Sequence, residues 1–184
     1  IQALVANAEY YNKLRFFLAQ HPQCPQNDDK AFFDSSGSLS HSGTDASRPN
    51  PAYFRKADAM VEEAATRDFI IDLYCEAQNG AIRNDDYLRY CAARFGSYPN
   101  VWLQLDVEWN EYLSASETKQ IGTTLRSYLP YPTPLTTIGT KNWSSALNGP
   151  WCSHVNIQGK TFGLEDSVDT IIANRATGGG IITN

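Results

Sequence analysis

Between Tyr98 and Tyr112 the chain reads Tyr-Pro-Asn-Val-Trp-Leu-Gln-Leu-Asp-Val-Glu-Trp-Asn-Glu-Tyr. The apolar part, Val101 to Val107, has the length and the aromatic and β-branched content of a buried strand. It runs into Asp106, Glu108, Asn110 and Glu111, grouped around Trp109. Carboxyls at that spacing, one of them beside an aromatic ring, can divide into a proton donor and an anion, because an apolar surround disfavours the charged form. Trp102 and Trp109 could supply that surround for Glu108. A strand that ends in carboxylates and leads into a helix is how parallel α/β enzymes present catalytic groups. The plainer reading is a polar strand-to-helix loop.

The segments around this stretch alternate between two periods. Ile1 to Val5 reads as a strand, with Asn7, Glu9, Tyr10 and Tyr11 at its end. A long loop from about Asn12 to Asn50 follows, with a short helix expected near Lys13 to Ala19. Asn50-Pro51 starts a helix, with Asn as cap and Pro in the first turn. Phe69 to Cys75 is the next strand and ends at Glu76. Asn84 caps a second helix and Gly96 ends it. After the Tyr98–Tyr112 stretch, Ser114-Ala-Ser-Glu117 fits a capping box. Pro134 to Gly139 and Trp151 to Gln158 are further strands. Leu164, Val168, Ile171 and Ile172 mark a helix before a last strand at Gly180 to Asn184.

Strands alternating with helices mean a parallel sheet with right-handed crossovers. Six strands are readable, and from the third unit on the repeats approach the roughly 30 residues of an eightfold α/β barrel. Such a barrel needs one strand before Ile1 and one after Asn184, so the expectation is a single partial catalytic domain over residues 1–184. A doubly wound open sheet is the rival. It lacks its phosphate loop here, because Gly178-Gly-Gly180 precedes a strand instead of following one.

Composition removes several function classes. The net charge of −5 leaves no basic footprint for nucleic acid. No apolar run is long enough to span a bilayer as a helix. Three scattered histidines, His21, His41 and His154, offer no metal-ligand pair; no metal or cofactor is expected. Cys24, Cys75, Cys91 and Cys152 lack metal spacing. They are either reduced core residues or, in a secreted chain, one or two disulfides. Asn142-Trp-Ser144 is a glycosylation sequon, and with the cysteines it leans towards an extracellular setting.

In a barrel, the residues just past each strand share one rim. Glu9, Glu76, Glu108 with Trp109 and Asn110, Thr140, and Gln158 occupy such positions. Carboxylates mixed with aromatics and amides suit carbohydrate: ring faces stack on sugars, amides bind hydroxyls, and two carboxyls cleave a glycosidic bond. His154 is either a hydrogen-bonded core residue or a contact to that substrate. A non-catalytic carbohydrate-binding or structural barrel is the second reading.

Three segments carry a resemblance: Arg48-Pro-Asn-Pro-Ala-Tyr-Phe54, Tyr90-Cys-Ala-Ala-Arg-Phe-Gly-Ser-Tyr-Pro-Asn-Val-Trp102 and Pro134-Leu-Thr-Thr-Ile138. They resemble the apiosidase-like family, whose members are often named endoglucanases or collagen-binding proteins. The resemblance implies a retaining glycoside hydrolase on a TIM barrel, with this chain supplying strands two to seven. It implies that Glu108 is the acid/base, Val107 standing where the superfamily usually has Asn; Asp106 and Glu111 are the alternatives. It implies that Gln158, in Val155-Asn-Ile-Gln158, faces the sugar. It also implies a nucleophile from the seventh strand, beyond Asn184.

Overall fold

The computed structural model describes residues 12–19, 30–33, 39–40, 45–76, 80–139, 149–157 and 181–183. Its elements run β1 (Lys13–Phe17), β2 (Phe32–Phe33), β3 (Leu39–Ser40), α1 (Pro51–Ala65), β4 (Ile70–Tyr74), a 3-10 turn (Ala81–Arg83) and α2 (Asp85–Phe95). There follow β5 (Val101–Gln104), α3 (Trp109–Tyr112), α4 (Ala115–Tyr128), β6 (Leu135–Thr136), β7 (Ile138–Gly139), β8 (His154–Ile157) and β9 (Ile181–Thr183).

The wall is parallel throughout. One sheet runs in the order β1, β4, β5, β6, and a second in the order β7, β8, β9. Thr137 alone separates β6 from β7. The two sheets are joined where Ser153 N–H meets Leu135 O at 2.9 Å and the Thr136 hydroxyl donates to His154 O. Six wall positions in sequence order, with helices between β1 and β4, β4 and β5, and β5 and β6, make a partial TIM barrel. The short β2 and β3 form a separate antiparallel pair.

The helices begin where the side chains say they should. Asn50 Oδ1 accepts from Ala52 N–H at 3.0 Å, with Pro51 in the first turn. Asn84 Oδ1 accepts from Tyr87 N–H. The Ser114–Glu117 capping box is complete in both directions. Each of these satisfies N–H groups that the first turn cannot bond internally.

The core lies between the wall and α1, α2 and α4. Outward-facing Ile71, Leu73, Val101, Leu103 and Leu135 are buried there against Phe54, Val61, Phe95 and Leu125. Phe54 is at its aromatic centre, within 4.9–6.5 Å of the rings of Tyr53, Phe32, Tyr87, Tyr90 and Phe95. Burying one such ring contributes about 1.5–3 kcal/mol.

One sequence expectation is overturned. Lys13–Phe17 is a strand, not a helix, and it pairs in parallel with Ile70–Tyr74. The segment from Asn12 to Asn50 is therefore not loop throughout. Lys13, Arg15 and Phe17 alternate with Leu14 and Phe16, and this period-two pattern decides over the weak helical propensity of Lys, Leu and Arg. The expected strand at Ile1 to Val5 and the helix around Leu164 to Ile172 lie outside the described residues.

Helix α4 packs closely on the loop before β8. A Cβ built on Gly122 would sit 2.3 Å from Trp151 Cε3, and Trp151 is buried. Alanine in a helix interior is ordinarily better than glycine by about 1 kcal/mol. Here the overlap costs about 1–3 kcal/mol and outweighs that gain. Gly122→Ala is expected to lower the melting temperature in a thermal scan; an unchanged or higher value would mean that the Trp151 ring has room to move.

Candidate active site

The carboxyl-bearing residues stand where the parallel register puts them. Tyr74 lies opposite Gln104 at the ends of β4 and β5. Glu76 N–H bonds Leu105 O at 3.2 Å just beyond, so Glu76 and Asp106 leave the sheet together. Both are buried, as is Glu108.

Glu108 has φ 54°, ψ 46°, in the left-handed region. A non-glycine residue there carries strain of about 1–3 kcal/mol and persists only where the surroundings hold it. The turn is a change of direction: β5 has ended at Gln104, and α3 starts at Trp109, directly after Glu108. Trp109 is buried beneath, and its Nε1 has no hydrogen-bond partner among the described residues. Asn110 and Glu111 are exposed on α3. Of the three carboxylates proposed for the acid/base role, Glu111 is thus turned to solvent while Glu108 and Asp106 are inside. Asp106 Oδ1 takes Val107 N–H at 2.6 Å, which fixes it at the foot of the Glu108 turn.

Glu76 has its own clasp: Oε1 accepts from Gly80 N–H at 3.2 Å and Oε2 from Ile82 N–H at 2.8 Å. Burial, and then the Asp106 charge, push its carboxyl up to about 8, against the two backbone N–H groups and Arg83, which favour the anion. Near neutral pH a proton therefore resides on Glu76 next to the ionisable Asp106.

Below the rim, the barrel interior is polar. Lys13 Nζ lies 3.4 Å from Asp72 Oδ2 and 4.6 Å from the centre of the Trp102 ring. Gln104 Nε2 donates to Asp72 Oδ1. The His154 ring meets Trp102 edge-on at 5.1 Å, and its Nδ1 is 3.0 Å from Ser153 Oγ. The Ser153 hydroxyl already donates to Leu135 O at 3.1 Å and accepts from Leu135 N–H at 2.8 Å. Its remaining lone pair assigns the ring proton to Nδ1, leaving Nε2 as an acceptor. Burial pushes His154 down to about 4, with Lys13 and Arg126 acting in the same direction and Asp72 opposing; the ring is neutral at ordinary pH. His154 Nε2, Gln104 Oε1, Tyr74 Oη and Asn156 Nδ2 are buried with no hydrogen-bond partner among the described residues. A buried polar group left unpaired costs about 1–3 kcal/mol, so four such atoms facing one interior with no partner among the described residues fit a place for polar guests.

The structure sets Glu76 beside Asp106 past the ends of β4 and β5, and Glu108, Trp109 and His154 are each buried. Asn110 stands at the edge, exposed. Glu9, Thr140 and Gln158 lie outside the described residues, as do Asn142 and Cys24. Cys75, Cys91 and Cys152 are free thiols, so the expected disulfides are absent from the described residues; Cys75 and Cys91 sit in the core. The sequence reading missed Lys13, Asp72, Gln104 and Asn156. The signal was present: Asp72 and Tyr74 alternate with Ile71 and Leu73, and Trp102, Gln104 and Asp106 alternate with Val101, Leu103 and Leu105. A strand with helices outside and a polar interior has that period. No group of three or more potential metal ligands occurs among the described residues.

The Glu76 and His154 shifts fix a pH dependence. Glu76 is raised in the fold from 4.5 to about 8, so its contribution to stability is full below about 4.5 and is lost as pH rises through 8. His154 is lowered from 6.5 to about 4, so its contribution is full above 6.5 and is lost as pH falls through 4. Denaturant melts from acid to alkaline pH should show Glu76→Gln losing less stability than the parent between neutral pH and pH 9. Parallel curves would show that Glu76 is not the group responsible.

Comparison with known proteins agrees with this architecture. The family profile described as apiosidase-like, catalytic domain, matches residues 13–170. Among solved structures, a glycoside hydrolase family 5 protein from Bacteroides vulgatus superposes with a TM-score of 0.70 at 15% identity, over 98% of this chain and 43% of the other. The endo-1,4-beta-mannanase from Rhizomucor miehei superposes with a TM-score of 0.64 at 9% identity, over 98% of this chain and 70% of the other. At these identities the likeness is one of fold. The chain spans less than half the length of the Bacteroides vulgatus structures it matches, 35% of one and 43% of the other. No curated protein matches it in sequence.

Proposed function

We propose that this chain, which belongs to the family of apiosidase-like catalytic domains, carries the acid/base side of a retaining glycoside hydrolase acting on plant or microbial polysaccharide. The observation that carries the reading is Glu108: a buried carboxyl in a strained left-handed turn at the end of a central barrel strand. Strain held at a rim position fits a residue placed for chemistry. Trp109, the next residue, is also buried. A carboxylic acid at this place can hand a proton to the leaving oxygen of a glycoside, and as an anion it can then take one from water.

The second carboxyl of a retaining pair stands about 5–5.5 Å from the first. The seventh-strand motif implied by the family resemblance is the proposed source. The substrate side is proposed to be read by Glu9, Asn110, His154 and Gln158 together with the Trp109 face, and Glu76 is proposed to act near the same sugar. The segment between β1 and α1 follows the first wall strand described and is proposed to shape substrate choice. An extracellular setting, with glycan on Asn142, belongs to the same reading and is supported by the sequon alone.

Glu108→Gln in the full-length protein tests it. Turnover of glycosides with poor leaving groups should fall by roughly 10²–10⁴-fold. Activated aryl glycosides should suffer less, and azide should partly restore them, since azide needs no general base. Unchanged turnover of all glycosides would remove Glu108 from the mechanism and favour Asp106; no turnover by the parent protein would favour a binding barrel.

A further inference from the structure

The left-handed turn at Glu108 leads into a helix too short to support itself. Helix α3 is a single turn, and isolated helical turns are unstable in water because nucleation fixes several dihedrals for one hydrogen bond. Within it, Glu111 N–H reaches Glu108 O at 2.8 Å and Leu113 N–H reaches Trp109 O at 2.7 Å. Its last carbonyl, Tyr112 O, accepts from Arg83 Nη2 at 2.8 Å. Arg83 comes from the preceding rim loop. A guanidinium at a helix C-terminus meets carbonyls that have no partner within the helix and the negative end of the helix dipole.

Arg83 is itself held. Its N–H bonds Gly80 O at 3.1 Å, closing the Ala81–Arg83 turn. Gly80 has φ 79°, a conformation that suits glycine. The two N–H groups that face inward from this turn, Gly80 and Ile82, are those taken by the buried carboxyl of Glu76. Arg83 Nε also lies 3.7 Å from Glu117 Oε1, but both side chains are about half exposed, and such a pair contributes little. The bond to the Tyr112 carbonyl is exposed as well, but at 2.8 Å it is the shorter of the two and meets a carbonyl at the helix end.

We propose that Glu76 and Arg83 are positioning residues, forming a brace in which Glu76 sets the loop after β4, Arg83 carries that position across to α3, and α3 holds the turn at Glu108. The path runs through side chains that each bond backbone: the Glu76 carboxyl to the Gly80 and Ile82 N–H groups, and the Arg83 guanidinium to the Tyr112 carbonyl. It joins two rim loops that are separated by α2 and β5 in sequence. For its effect on turnover the proposal rests on the acid/base reading of Glu108; for the brace itself it does not.

Amide hydrogen exchange on the full-length protein tests the brace without any substrate. In Arg83→Ala, protection at the Glu111 and Leu113 amides should fall about tenfold, the loss expected for one charge-assisted hydrogen bond. Leu88 in α2 and Leu125 in α4 should be unchanged, and Arg83→Lys should recover part of the loss. Glu76→Gln, with one acceptor oxygen in place of two, should lower protection at Gly80 or Ile82 and, through Arg83, at Glu111. Unchanged protection at Glu111 and Leu113 in Arg83→Ala overturns the proposal, as does a loss spread evenly over α2 and α4. A loss in Arg83→Ala with none at Glu111 in Glu76→Gln overturns the part given to Glu76. With an active parent, Arg83→Ala should reduce kcat about tenfold or more with KM little changed and shift the pH profile of kcat, whereas general loosening of the fold would leave that profile in place. If the parent turns over no glycoside, the exchange data still decide on the brace, and the hydrolase reading fails separately.

Discussion

In a parallel sheet, neighbouring strands leave at the same edge, and the register of β4 against β5 fixes what meets there. Leu73 faces Leu103 and Tyr74 faces Gln104. From that pairing the remainder follows by alternation. One set of side chains, Leu73 and Leu103 among them, turns outward and is covered by helices. The other set, Asp72, Tyr74, Trp102 and Gln104, turns inward. Continuing past the strands, Glu76 and Asp106 emerge together on the rim, and the left-handed turn at Glu108 follows. A slip of one residue would exchange the two faces, placing Asp72 in the apolar layer under α1 and α2 and Leu73 in the polar interior.

The rim is expensive to maintain. Glu76 is forced to hold a proton well above the usual carboxylate range, Glu108 occupies strained backbone, and several interior polar atoms lack partners among the described residues. None of these helps folding. The aromatic layer around Phe54 and the well-capped helices α1, α2 and α4 supply the stability against which this is set. A rigid apolar exterior with a strained polar interior is the division expected when a fold supports a site.

The sequence made much of this legible, and the reasons differ from element to element. Asn50-Pro51, Asn84 and Ser114–Glu117 are local signals, each acting within a few residues, and each helix starts there. The central strand was legible because Val101, Leu103 and Leu105 must be buried whatever surrounds them. Lys13–Phe17 was not, since a five-residue segment with Lys and Arg becomes a strand only by pairing with Ile70–Tyr74, more than fifty positions away. The buried Asp72 and Gln104 were hidden by the same effect, for a charge inside a strand is tolerated only when Lys13 and Gln104 arrive from other strands to compensate it. The carboxylates at 76, 106 and 108 were recognisable as a group, but their division of roles depends on environments that only the assembled rim creates. In the same way, nothing local distinguishes Arg83 from any other surface arginine.

The central claim is that this rim cleaves glycosides through an enzyme-bound intermediate with Glu108 as acid/base. The most direct measurement is the anomeric configuration of the first sugar released by the full-length protein, followed by proton NMR before mutarotation blurs it. Retention of the substrate's configuration is the predicted result. Inversion would mean a single displacement by water between carboxyls about 6.5–9.5 Å apart, and would contradict the account.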